Sequence, residues 1–211
     1  MKLTIDENIY FLEKDGEIIE KIADILTDEM EKTNKVIKFI EVDGLELYQD
    51  YFEYILDNLD YIENVNVKLI TYKELVGETL LGTIDYLQGA AAEIEPLSEA
   101  FYTQPTREAW EEFTDLLEGI NWIISVFNLI DNDKSLIETL PSYEVWNLYA
   151  KDIFTLNELI PQMNDALNSK DNTLLADLMM YEILPIYDDM REQLMSLYNS
   201  KENWYAGIKQ Y

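Results

Sequence analysis

The chain has 211 residues, 48% apolar and 27% charged, and its 43 acids against 15 bases leave a net charge of −28. That composition is globular rather than disordered, and no basic cluster is available to meet phosphates, so neither nucleic acid nor an anionic membrane is an expected partner. Cysteine and histidine are both absent, which excludes disulfides, thiol nucleophiles, thiolate or imidazole zinc sites, Ser-His-Asp triads and di-iron bundles built on Glu-x-x-His pairs.

In chain order, Lys2 to Ile5 alternates, Asp6-Glu7-Asn8 can turn, and Ile9 to Glu13 is a second apolar run closed by Asp15-Gly16. This pattern predicts a β-hairpin. Ile18, Ile22, Ile25, Leu26 and Met30 then form a helical stripe. Residues 36–42 are β-branched and aromatic, and Asp43-Gly44 is a hairpin-type turn before Leu45-Glu46-Leu47. Tyr48, Phe52, Leu56 and Leu59 suggest a short helix, and residues 65–71 alternate as a final strand. The order resembles that of a β-grasp, ubiquitin-like fold, ββαβ(α)β, over residues 1–72. A βαβαβ unit that absorbs residues 9–12 into the helix is the alternative, and Asp15-Gly16 argues against it.

From Tyr72 the period becomes helical. Leu80, Ile84, Leu87, Ala91, Ile94 and Leu97 form one stripe, ended before Pro105; Trp110, Phe113, Leu117, Ile120, Ile124, Phe127 and Ile130 form the second. Val145, Tyr149, Ile153, Leu156, Ile160, Met163 and Leu167 make the cleanest periodicity in the chain. Leu175, Met179, Ile183, Ile186, Met190, Leu194 and Leu197 mark a fourth helix, with Pro185 expected to kink it. Residues 73–211 therefore predict a four-helix up-down bundle, with a helical tail over 202–211. Taken whole, the expectation is an α+β chain in two domains, residues 1–72 and 73–211.

Acids are in excess in both parts: 18 against 7 bases in residues 1–72, and 25 against 8 beyond. The N-terminal residues carry no apolar h-region, so no signal peptide is expected. The longest charge-free apolar run, residues 119–130, is shorter than the about 20 residues of a membrane helix. A cytoplasmic protein is expected.

Several residues qualify as candidate sites. Glu108, Glu111, Glu112, Asp115 and Glu118 line up along one helical strip and could hold a divalent cation or face water. The Glu-x-x-Glu half of the all-α nucleotide pyrophosphatase signature occurs at Glu17/Glu20 and Glu108/Glu111, without its second half. Asp131, Asp133 and Ser135 begin like a calcium loop, but Leu136 and Ser142 stand where the loop needs Gly and Glu, so the segment reads as a turn. At 100° per residue Glu182 falls on the apolar side of its helix, making it a buried-acid candidate or an edge position whose carboxylate reaches water or a Tyr hydroxyl, with Asp152 a weaker case. Tyr48, Tyr51 and Tyr54 are candidate interaction residues, although aromatics at helical spacing are also ordinary core; if one of them lies outside, Tyr51 or Tyr54 is the one expected.

No catalytic or cofactor motif is present, and no cofactor is expected. The expected function is a non-enzymatic acidic interaction, scaffold or chaperone-like protein. Its partner would be another protein, a basic one among them, or a second copy. The alternative is a divalent-metal carboxylate enzyme acting on a phosphorylated small molecule, for which Arg107 and Arg191 are the only arginines. An acidic mimic of nucleic acid is a third possibility.

Overall fold

A computed structural model describes residues 1–200; the helical tail expected over 202–211 lies outside the described residues. The chain is mixed α+β, with a five-stranded sheet followed by several helices. It divides into two compact units, Met1–Leu75 and Val76–Tyr211.

In the first unit, β1 (Lys2–Ile5) pairs antiparallel with β2 (Asn8–Phe11) across a turn in which Asp6 adopts positive φ. Helix α1 (Ile18–Thr33) follows, and Asn34 ends it in the left-handed conformation that a helix C-terminus favours. Strands β3 (Lys35–Val42) and β4 (Leu45–Leu47) form a hairpin. Its turn residues Asp43 and Gly44 both have positive φ, as a tight hairpin of this kind requires. Helix α2 (Tyr51–Asn58) leads to β5 (Asn64–Thr71), which pairs parallel with β1 and antiparallel with β3. The resulting sheet order is β2-β1-β5-β3-β4. Leu3, Ile5, Ile40, Val65, Val67 and Leu69 alternate inward from the strands and close on Ile18, Ile22 and Leu26 of α1 and Ile55 of α2.

The helical elements are α3 (Tyr72–Tyr102), α4 (Arg107–Asp131), the short α5 (Lys134–Ile137), α6 (Tyr143–Ser169), α7 (Asn172–Asp177), a π-helical turn over Leu178–Ile183, and α8 (Leu184–Asn199). Their starts are written in the sequence. Thr106, Asp133, Ser142 and Asp171 each accept a hydrogen bond from a backbone N–H of the following first turn. Within the second unit, Phe101 of α3 meets Trp110 and Phe113 of α4, and Tyr86 meets Trp122, so α3 and α4 run antiparallel in contact. Phe127 of α4 stacks on Trp146 of α6 with ring centres 5.3 Å apart, and Trp146 Nε1 donates to Asp131. Gln193 of α8 donates to Asp152 of α6.

Pro185 does not act as a simple kink. The Leu184 N–H bonds to the Met179 carbonyl, five residues back, so the ladder passes the proline through a π turn. In that register, the carbonyl a residue at 185 would serve is that of Met180 rather than of Tyr181. Pro96 and Pro161 also lie inside α3 and α6. The carbonyls four residues before them belong to Ala92 and Asn157, both exposed, where water can replace the missing donor.

Helix α4 is, by length and composition, apolar enough to cross a membrane, which widens the 12-residue run read from the sequence. Phe113, Leu116, Ile120, Ile123, Phe127 and Ile130 of that helix are buried inside the unit.

Candidate functional site

Small residues create the site. Most of α3 carries bulky side chains, but Gly89-Ala90-Ala91-Ala92 thins the helix over a full turn. On either side of this thin stretch stand Tyr86 and Leu97, and Leu116 of α4 faces it. The result is a cavity of about 370 Å³ floored by Ala90, Ile94, Leu97 and Leu116. Ile94, Leu97 and Leu116 are buried, so the floor is apolar and fixed. That volume falls within the about 300–1,000 Å³ typical of ligand clefts.

Four carboxylates ring the opening: Asp85 and Glu93 from α3, Glu112 and Asp115 from α4. All four are exposed. Asp85, Gly89 and Glu93 repeat every four residues, which keeps them on one face; Glu112 and Asp115 repeat at three and answer them from α4. None of the cavity's lining residues is basic. Among the described residues no Lys or Arg forms an ion pair with any of these four acids. The opening is a concentrated, uncompensated negative field around an apolar floor.

Tyr86 forms one end wall and is fixed by a close approach to α4. A Cβ placed on Gly119 would fall 1.5 Å from the Tyr86 hydroxyl, so only glycine admits the phenol there. Burial raises the Tyr86 phenol above its ordinary value, the neighbouring Tyr187 hydroxyl opposing and the Asp115 carboxylate adding to the effect. Behind it, Tyr187 of α8 lies with its ring centre 6.5 Å away and its hydroxyl facing that of Tyr86. The hydroxyl of Tyr149 is enclosed without a hydrogen-bond partner among the described residues. Burial pushes the Tyr149 and Tyr187 phenols far up, so they stay neutral.

Several predicted site residues take other places. Glu108, Glu111, Glu112, Asp115 and Glu118 are all exposed; Arg107 Nε bonds Glu111 at 2.8 Å, and Glu112 and Asp115 border the cavity. Among the described residues no three carboxylates converge as a metal site. Glu182 is exposed rather than buried, because the π turn breaks the 100° progression that placed it inward. Met179, Ile183 and Tyr187 fill that core line instead. Asp152 is the acid that is partly enclosed: Gln193 Nε2 donates to it at 2.6 Å. Burial raises its carboxyl above the usual range, with Asp189 adding and the Gln193 bond opposing. Tyr48 is outside, whereas Tyr51 and Tyr54 are half-buried against the first unit's core. Asp131 and Asp133 serve Trp146 and the α5 cap, so the calcium-loop resemblance has an entirely structural origin.

Sequence reading missed Asp85, Gly89 and Glu93. Their fourfold spacing was present, but nothing in one helix reveals which of its faces meets a gap in another. It also missed Glu29, a nearly buried acid of α1 that continues the stripe Ile18, Ile22, Leu26. Lys32, Asn8 and Tyr10 donate to it at 3.2, 2.7 and 3.1 Å. Those bonds hold its carboxyl below the usual range, Lys32 contributing most.

The family described as Domain of unknown function (DUF8042) matches residues 78–193, more than half of the chain, and the chain belongs to that family. No curated protein and no solved structure matches.

Proposed function

We propose that this protein is a non-enzymatic, acidic protein-interaction module of the scaffold or chaperone-like kind, whose partner is a basic protein surface. One observation carries the reading: the four carboxylates around the α3–α4 cavity have no cationic partner within the described protein. Uncompensated charge of one sign at the edge of an apolar cleft steers and selects an oppositely charged partner. We further read residues 1–72 as a β-grasp-like domain, a reading supported by the strand order β2-β1-β5-β3-β4 with β1 parallel to β5. Residues 73–211 are read as an up-down four-helix bundle, supported by the antiparallel contact of α3 with α4 and the contacts of α4 with α6 and α6 with α8. A chain without cysteine suits the reducing cytoplasm.

The test is calorimetric titration of a lysine-rich peptide in matched salt. The variant Asp85→Asn/Glu93→Gln/Glu112→Gln/Asp115→Asn removes four charges at the cavity. The control Glu7→Gln/Glu20→Gln/Asp24→Asn/Glu53→Gln removes four exposed charges from the first unit. The cavity variant is expected to bind about tenfold more weakly or worse, since each exposed pair contributes up to about 1 kcal/mol. The control is expected to bind almost as the wild type does. Equal losses in the two variants would mean that only total charge matters and would overturn the reading.

A further inference from the structure

We infer that the gap at Gly89 selects the partner: a cationic polypeptide segment that inserts an apolar side chain between α3 and α4 and lays flanking Lys or Arg on Asp85, Glu93, Glu112 and Asp115. This rests on the interaction reading above and names what that module accepts. Two independent features carry it. The first is charge complementarity: an apolar floor with four uncompensated acids around it matches an apolar side chain between cations, and nothing anionic. The second is the glycine itself. Glycine inside a helix is less stable than alanine and leaves the space of a side chain empty. At Gly89, as at Gly82, a Cβ would meet nothing within 4 Å and the backbone is not in the left-handed region, but of the two it is Gly89 that lines the cavity. The empty volume at Gly89 is room held open along the cavity wall.

A plug and a matched control follow from the same helix. Gly89→Met would extend a side chain along the cavity. Gly82→Met makes the same exchange at an equally open glycine that does not line it. Both remove a helical glycine, so neither is expected to melt below the wild type. The probes are two labelled peptides of equal charge and about 15 residues, one with Leu and Lys at helical spacing, the other with Ser replacing Leu. Affinity is read by fluorescence anisotropy on the full chain at about 0.15 M salt, where general charge attraction is damped. The wild type is expected to prefer the Leu–Lys peptide by about tenfold or more, the worth of burying one large apolar side chain. Gly89→Met is expected to lose that preference and Gly82→Met to keep it. Undiminished Leu–Lys binding by Gly89→Met would overturn the inference. So would a wild type that binds both peptides equally, which would leave the acidic-module reading standing without this selectivity. A wild type that binds neither peptide would overturn both.

Discussion

Several acids of the sheet unit and the acids around the cavity of the helical unit stand in opposite situations. In the sheet unit, carboxylates finish the fold. Asp43 accepts backbone N–H bonds from Glu63 and Asn64, Glu74 accepts from Thr71, Asp6 pairs with Lys35, and Glu29 is enclosed by three donors. In the helical unit, the acids at the cavity are tied to nothing in the described protein, while the enclosed phenol of Tyr149 lacks a partner among the described residues. Satisfied polar groups fix a structure, and unsatisfied ones at an opening are available to a ligand. The acids just named in the sheet unit are thus structural, whereas those around the cavity are held by no partner in the described protein.

The comparison can be broken most forcefully through the aromatic core of the helical unit. Trp146→Ala removes a fully buried ring stacked on Phe127 and orphans Asp131, and should destabilise that unit by about 3–5 kcal/mol. All four tryptophans follow Val76, so tryptophan fluorescence reads that unit selectively. Amide exchange of Leu3, Ile40 and Val67 should stay at wild-type rates; if these amides exchange faster together with those of the helices, the units are not separately stable.

A smaller effect is expected at the cavity's end wall. Gly119→Ala must displace the Tyr86 phenol and should cost about 1–3 kcal/mol as overpacking, read by denaturant midpoint. Tyr149→Phe works in the other direction. It removes a buried hydroxyl that has no partner, and stability should be unchanged or higher by about 1 kcal/mol. A clear loss would show that the hydroxyl is satisfied after all.

The finest distinction is the sign of the response to acid. Carboxyls held low in the fold, as for Glu29, Asp43 and Glu74, contribute stability above their unfolded values of about 4. That contribution is lost as pH falls through the lower folded values. Asp152 is raised by burial, so its charged form opposes folding at neutral pH. Its contribution improves as pH falls through the raised folded value toward about 3.9. Glu29→Gln should therefore lower stability at neutral pH, with the difference fading in acid. Asp152→Asn should raise it at neutral pH and flatten the acid response. Melting curves followed by tryptophan fluorescence and by amide exchange across the acid range check both signs.

Much of the fold was legible because its signals are local. The turn at Asp43-Gly44 and the even period from Val145 to Leu167 each rest on neighbours within one or two helical turns. The failures are where a local rule meets a register change or a second element. Glu182 was placed by a constant 100° step that the π turn interrupts. Tyr51 and Tyr54 pack partly into the first unit's core, as aromatics at helical spacing do, and the exposed member of the set is Tyr48 instead. The cavity is the plainest case. Half of its carboxylates, Glu112 and Asp115, stood among the residues singled out, but as a metal strip. Their partners across the opening, Asp85 and Glu93, become neighbours only when α3 packs against α4, and no single-helix pattern encodes that.

The most direct test of the central claim is to locate a bound cation-rich partner on the molecule. Isotope-labelled full-length protein would be titrated with the Leu–Lys peptide at about 0.15 M salt and backbone amide shifts followed by NMR. Binding at the α3–α4 cavity predicts saturable shifts concentrated in residues 85–97 and 112–116, with the strands unmoved. Shifts scattered over the acidic surface of both units, or centred away from those two segments, would contradict it.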